Sequence, residues 1–180
     1  MYLYMRLLSL LIMSTVCVLG AGELSGRRAP GFSLPDSTGK QHDLQDYRGK
    51  VLLIDFMQVS CEHCIKFSAI LEQAKIRYGD KIAVLSIVNP PSEQKGVADY
   101  VAKGKIKSPI LFDCGQVSYS YLKPTSPNIV IPHVFLIDAD GMIRNDFGFG
   151  PSTMAIFDGK GLFTELDKML APKPGGGSKK

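Results

Sequence analysis

Cys61 and Cys64 stand with only Glu62 and His63 between them in the stretch SCEHCIKF, residues 60 to 67. Two thiols at this spacing suit two chemistries. They can hold half of a tetrahedral zinc site, or they can cycle between dithiol and disulfide. Zinc asks for two more ligands, commonly as a second paired set. The remaining candidates, Cys114, His42, His63 and His133, are scattered, and His63 between the sulfurs is badly placed to bind alongside both. The residues therefore favour a redox pair, with no metal and no cofactor expected.

The flanking segments decide how such a pair would be presented. Val51 to Ile54 with Phe56 and Met57 is a nearly continuous apolar run, the pattern of a strand buried on both faces. After it, Phe67, Ile70, Leu71, Ala74 and Tyr78 recur at helical spacing, with Lys66, Glu72, Gln73, Lys75 and Arg77 elsewhere on the turn. Strand, CEHC, helix is the implied order, with Cys61 at or near the helix N-cap and Cys64 one turn in. Free N–H groups and the positive end of the helix dipole stabilise a thiolate at that end. Cys61 is then the acidic, attacking thiol. Cys64, on the side of Phe67 and Leu71, is the more buried one and resolves the mixed disulfide. A protonated His63 would favour the Cys61 thiolate, and Glu62 would oppose it.

Two further positions bear on the chemistry. Asp55 interrupts the apolar strand run six residues before Cys61. It is either a proton acceptor for Cys64 or an exposed strand-edge acid. Pro132 falls inside the apolar segment Val130 to Ile137, where proline is normally confined to edges and bends. A cis Ile131–Pro132 bond would offer the Ile131 backbone to an extended substrate segment; the alternative is an ordinary trans proline at a strand start. Among the other chemistry-bearing residues, Cys114 reads as a lone buried thiol rather than a third redox partner. His133 reads as a cross-strand polar side chain rather than a neighbour of the sulfurs, and His42 as a surface loop residue.

The rest of the chain supplies alternating elements. Phe32 to Leu34 suggests a short strand, Ile82 to Val88 a buried strand, Glu93 to Lys103 a helix opened by Asn89-Pro90-Pro91-Ser92, and Ile110 to Phe112 a brief strand. Val117 to Leu122 suggests one or two helical turns, and Lys123 to Asn128 a loop. Asp138-Ala139-Asp140-Gly141 is a hairpin turn before the returning strand Met142 to Phe149, and Gly159 to Leu170 a final helix. Alternation followed by a terminal hairpin and helix implies an α/β domain, with a mixed central sheet flanked by helices.

The chain has 180 residues, 45% hydrophobic and 21% charged, with a net charge of +4, enough for one domain with a real core. No basic stripe with interleaved aromatics is present, so nucleic acid is not an expected partner. Residues 1–22 combine Arg6 with an apolar run from Leu7 to Leu19 and then Gly20-Ala21-Gly22, the pattern of a secretory signal or retained membrane anchor. Cys17 belongs to that run and is preceded by Val16, a poor residue before a lipidated cysteine. Residues 23–171 form the expected domain, and 172–180 a low-complexity tail. An exported domain left with Cys61, Cys64 and Cys114 is no disulfide-dense scaffold.

These features together resemble the thioredoxin superfamily, and within it the exported TlpA/ResA-type thiol–disulfide oxidoreductases (AhpC/TSA–Redoxin-like). The resemblance rests on APGFSLPDSTGK, on L-x-x-Y-R-G-K-V-L-L-I-D-F before CEHC, on Pro132 and on VFLIDADGMI, and covers about residues 29 to 170. It implies a thioredoxin fold with an N-terminal strand or hairpin extension and a catalytic set of Cys61, Cys64 and Asp55. It also implies a substrate groove at Ile131 and Pro132, protein thiol or disulfide substrates, a monomer, and a membrane thiol-relay electron donor if the protein is a reductant, with roles such as cytochrome c maturation or disulfide reduction. The chain departs from the pattern in carrying Ser60 where a Trp is usual, Phe67 where many ResA-type members carry Glu, and a long loop at 123–128. Phe67 leaves any acid assistance to Asp55. The rival readings are a peroxiredoxin-type thiol peroxidase, which needs a Thr and a Pro that Met57-Gln58-Val59-Ser60 does not supply, a copper-handling thioredoxin-like protein, and a pure binding module.

Overall fold

The computed structural model describes residues 24–88, 94–123 and 129–172. Seven strands occur among them: β1 (Ser33–Pro35), β2 (Gln41–Asp43), β3 (Val51–Met57), β4 (Ile82–Val88), β5 (Ile110–Phe112), β6 (His133–Ile137) and β7 (Ile143–Gly148). The helices are α1 (Glu62–Tyr78), α2 (Gln94–Gly104), α3 (Gln116–Leu122), α4 (Met154–Phe157) and α5 (Lys160–Leu170). β1 and β2 form a small antiparallel hairpin ahead of a five-stranded sheet of order β5-β4-β3-β6-β7. β3 pairs in parallel with β4, which pairs in parallel with β5, while β6 runs antiparallel to both β3 and β7. This is the mixed α/β sheet of the thioredoxin fold.

β3 is central and buried along its whole length. Its side chains alternate between two faces, as strand geometry requires. Leu52, Ile54 and Phe56 join Leu85, Ile87, Leu111, Phe135 and Tyr121 in one apolar cluster. Val51 and Leu53 point the other way, onto Phe67, Leu71 and Ala74 of α1 and Leu162 and Leu166 of α5. A third cluster sits at the C-terminal end of β3 and joins Met57 and Val88 to Cys64, Val97, Tyr100, Ile106 and Ile110. The redox pair is thus seated where three elements meet.

Several boundaries differ from the sequence expectation. β6 starts at His133, so Pro132 precedes the strand rather than interrupting it; proline has no N–H to give the ladder. β1 and β2 supply the N-terminal hairpin extension that the resemblance implies, although QHD carries no apolar alternation to mark β2 by itself. His42, expected on a surface loop, is a buried residue of β2. Its ring nitrogens are satisfied by Asp36 Oδ2 at 2.9 Å and by the Tyr47 hydroxyl at 2.5 Å. Burial of a polar ring is tolerable when both nitrogens are bonded. The short α4 has no periodicity long enough to mark it in the sequence. The signal or anchor at 1–22, the Asn89–Ser92 cap and the tail after residue 172 lie outside the described residues, as does all of the 123–128 loop except Lys123.

Candidate redox site

Cys61 is the N-cap of α1, in extended conformation, and its Sγ accepts the Cys64 N–H at 3.2 Å. A Ser or Asp at this position would offer oxygen to the same donor; here sulfur does. The two cysteines form a disulfide with their Cα atoms 5.2 Å apart. Their surroundings differ sharply. Cys61 is only half-buried, while Cys64 has no exposed surface and belongs to the apolar cluster at the end of β3. One sulfur is reachable from outside, and the other faces the interior.

The residues between them point away from that interior. Glu62 is exposed and pairs with Lys66 Nζ at 2.7 Å, and its hydrogen bond with Lys66 holds the carboxyl below the usual Glu value. His63 is exposed too, and its ring lies 4.3 Å from that of Phe149, centroid to centroid. Phe149 in turn donates its backbone N–H to the Pro132 carbonyl at 3.0 Å, which ties this end of α1 to the segment before β6. The Ile131–Pro132 bond is cis, and Ile131 packs against the cluster that contains Cys64, as does Cys61.

Asp55 lies on the α1 side of β3, two residues before Met57. In register it is flanked by Ser86 of β4 and Val134 of β6. It is 0% exposed, and neither carboxyl oxygen has a hydrogen-bond partner among the described residues. Desolvation of the charged form pushes its pKa up from 3.8 to about 8. Asp55 is thus a buried carboxyl and not a strand-edge acid.

The sequence reading missed two hydroxyls. Tyr100 of α2 donates its hydroxyl to the Cys64 carbonyl at 3.1 Å and also hydrogen-bonds the Ser68 hydroxyl. Both residues are buried. Ser68 could have been noticed as a polar residue one turn after Cys64 on the apolar side of the helix; nothing local marks Tyr100.

The other candidates lie elsewhere. His133 stacks on Phe135 at 4.8 Å, and its Nε2 is 3.6 Å from Asp146 Oδ1 on β7, which fits the cross-strand reading. Cys114 is exposed, contrary to the expected buried thiol. Its neighbour Asp113 turns inward instead and accepts the N–H groups of Val117 and Ser118, which leaves Cys114 on the outside of the turn into α3. Among the described residues no three His, Cys, Asp or Glu side chains converge as metal ligands would.

A dithiol–disulfide pair on a thioredoxin fold, with one sulfur reachable and one enclosed, defines a thiol–disulfide oxidoreductase. Residues 25–146 match the AhpC/TSA family, and the chain belongs to it. It is 28% identical over 127 residues to the thioredoxin-like protein YneN of Bacillus subtilis, a match spanning 69% of this chain and 71% of that one. It is 27% identical over 118 residues to the thiol-disulfide oxidoreductase ResA of Bacillus thuringiensis, a match spanning 66% of each chain. Among solved structures, one assigned as a thiol:disulfide interchange protein DsbE from Chlorobium tepidum superimposes with a TM-score of 0.68 at 25% identity, covering 82% of this chain and 98% of that one.

Proposed function

We propose that this oxidoreductase exchanges thiols and disulfides with protein substrates outside the cytoplasm, with Cys61 as the attacking sulfur and Cys64 as the resolving one. The observation that carries the reading is the asymmetry of the pair: Cys61 half-buried at a helix N-cap, Cys64 fully enclosed. Only Cys61 can be met by a macromolecular partner. In the reductive direction the Cys61 thiolate attacks a substrate disulfide, a mixed disulfide forms on Cys61, and one substrate thiolate leaves. Cys64 then passes its proton to ionised Asp55 and attacks Cys61 Sγ. The Cys61–substrate bond breaks, the second substrate thiolate departs, and the Cys61–Cys64 disulfide closes. In reverse, protonated Asp55 returns the proton to Cys64 as a donor dithiol opens the disulfide. A carboxyl titrating at about 8 serves both directions near neutral pH.

Ile131 and Pro132 supply the backbone edge on which an extended substrate segment lies, beside the exposed apolar side chains of Ile65, Ile129 and Val130. Export rests on the signal-like stretch at 1–22 and on the similarity to ResA. A tether would use that same stretch, which lies outside the described residues; among those described, no helix is long and apolar enough to cross a membrane. A membrane thiol-relay donor fits a reductase of this kind, with disulfide reduction or cytochrome c maturation as its setting.

The test is a redox titration of the Cys61–Cys64 pair in dithiothreitol and glutathione buffers. A strongly reducing midpoint is expected for a reductase, and a midpoint near that of oxidising disulfide donors for an oxidase or isomerase. Absence of any reversible two-electron couple would sink the proposal. A peroxide-consumption assay run beside it separates exchange from a thiol peroxidase.

A further inference from the structure

We propose that Tyr100, acting with Ser68, is a positioning residue for the resolving half of the reaction: its hydroxyl clamps the first turn of α1 so that Cys64 stays aligned between Cys61 and Asp55 after the disulfide opens. The inference rests on the exchange reading above and deepens it.

The Cys64 carbonyl sits inside a helix, where the N–H four residues on already satisfies it. The bond it receives from Tyr100 at 3.1 Å is therefore additional, and it comes from a separate element, α2. The same phenol is bonded to the Ser68 hydroxyl, one turn after Cys64. Tyr100 and Ser68 are 5% and 3% exposed, so both bonds are made without competition from water. The apolar side chains packed in this cluster, Met57, Val88, Val97, Ile106 and Ile110, offer no hydrogen bond of their own.

The disulfide holds Cys64 in place only in the oxidised form. In the dithiol and in the mixed disulfide, Cys64 belongs to a first helical turn, the part of a helix most prone to fray. The Tyr100 bond is independent of the sulfur's redox state and keeps that turn closed when the covalent tie is gone. Burial keeps the phenol protonated, its pKa pushed up to about 12, and the charge of Asp55 adds to the shift. Tyr100 is thus a permanent neutral donor within electrostatic reach of the acid that takes the Cys64 proton.

The step being positioned is balanced within the protein. Cys64 loses a proton to the Asp55 carboxylate, its sulfur bonds to Cys61 Sγ, and the bond from Cys61 to the substrate sulfur breaks, the electron pair leaving with the substrate thiolate. Tyr100 is neither consumed nor oxidised.

The experiment uses the reduced full chain and oxidised glutathione as the probe. Samples are quenched with acid and resolved by mass spectrometry, which separates formation of the Cys61–glutathione adduct from its intramolecular resolution. Tyr100→Phe is expected to form the adduct at the wild-type rate and to resolve it about fivefold to tenfold more slowly, the rate equivalent of one hydrogen bond. Ser68→Ala should slow resolution in the same direction, and Ser68→Thr, which keeps the hydroxyl, should restore it. Ser68 variants carry the test if Tyr100→Phe folds poorly. Resolution at the wild-type rate in both Tyr100→Phe and Ser68→Ala would overturn the inference and reduce the pair to packing. Failure of oxidised glutathione to convert the reduced wild type into either the Cys61 adduct or the Cys61–Cys64 disulfide would instead remove the exchange reading on which it rests.

Discussion

Replacing Asp55 with Asn should make the protein's stability much less sensitive to alkali. In the folded state burial holds the Asp55 proton until about pH 8, whereas its ordinary value is 3.8. Between those values the unfolded chain has released the proton and the folded chain has kept it. Stability from this group is therefore complete below about pH 4 and is lost as pH rises, with the loss levelling off above the folded value. The slope is about 1.4 kcal/mol per pH unit, so by pH 7 the wild type has given up on the order of 4 kcal/mol. Asn has its own burial penalty, about 1–3 kcal/mol if its amide finds no partner, but that penalty does not depend on pH. The measurement is urea unfolding of wild type and Asp55→Asn with the disulfide intact, at intervals from pH 4 to 9. The difference in unfolding free energy should shift in favour of the Asp55→Asn variant by several kcal/mol across that range and then become constant. A difference that stays flat with pH would refute the assignment of a buried, unpartnered carboxyl.

The other expectations follow from the same geometry. Cys64→Ser should trap a stable mixed disulfide on Cys61 when challenged with a disulfide peptide, detected by intact mass, whereas Cys61→Ser should form none. Among the described cysteines of the oxidised folded protein, an alkylating reagent should label Cys114 and spare Cys61 and Cys64, read by peptide mapping; Cys114→Ser should remove the label from that peptide and leave exchange rates within about twofold, since a surface substitution away from the site perturbs little. Asp113→Ala removes the acceptor for the Val117 and Ser118 N–H groups and should lower stability by about 1–2 kcal/mol in denaturant melts. Gly141→Ala should destabilise by about 1 kcal/mol, because the residue sits at φ +74°, a conformation that costs an L side chain, while the Arg48 guanidinium nearby can swing aside.

Periodicity makes the scaffold legible in the amino-acid sequence. The apolar run at β3 and the helical spacing from Phe67 to Tyr78 place CEHC at a strand-to-helix junction, and that junction alone puts Cys61 at an N-cap. Asp55 is visible as the one acid in that run. Its burial is not, because exposure depends on β4 and β6 closing over both edges of β3. β2 and the buried His42 escape for a different reason: three polar residues have no apolar signal, and their order comes from pairing with β1 and from the bonds to Asp36 and Tyr47. Hydrogen bonds from Thr38, His42 and Lys40 outweigh burial at Asp36 and hold its carboxyl well below the usual range, so a charged anchor sits where the sequence shows only a turn. Tyr100 is beyond reach because its partner carbonyl is 36 residues away in the chain.

The division of labour proposed for two chemically identical thiols follows from where β3 ends. A strand buried on both faces delivers the chain to the surface for only a few residues, Gln58 to Cys61, before α1 turns back over the sheet. The first sulfur falls on the exposed side of that excursion and the second on the returning side, one helical turn later. The same return lays α1 over the Asp55 side of β3, with Tyr100 of α2 closing the far wall. An unpaired carboxyl there weakens the fold at neutral pH, and an apolar residue of similar size would remove the penalty. A packing role gives no reason for an acid at this position. The proton-carrier role proposed above does, and for that role a site that is poor for stability is a suitable one.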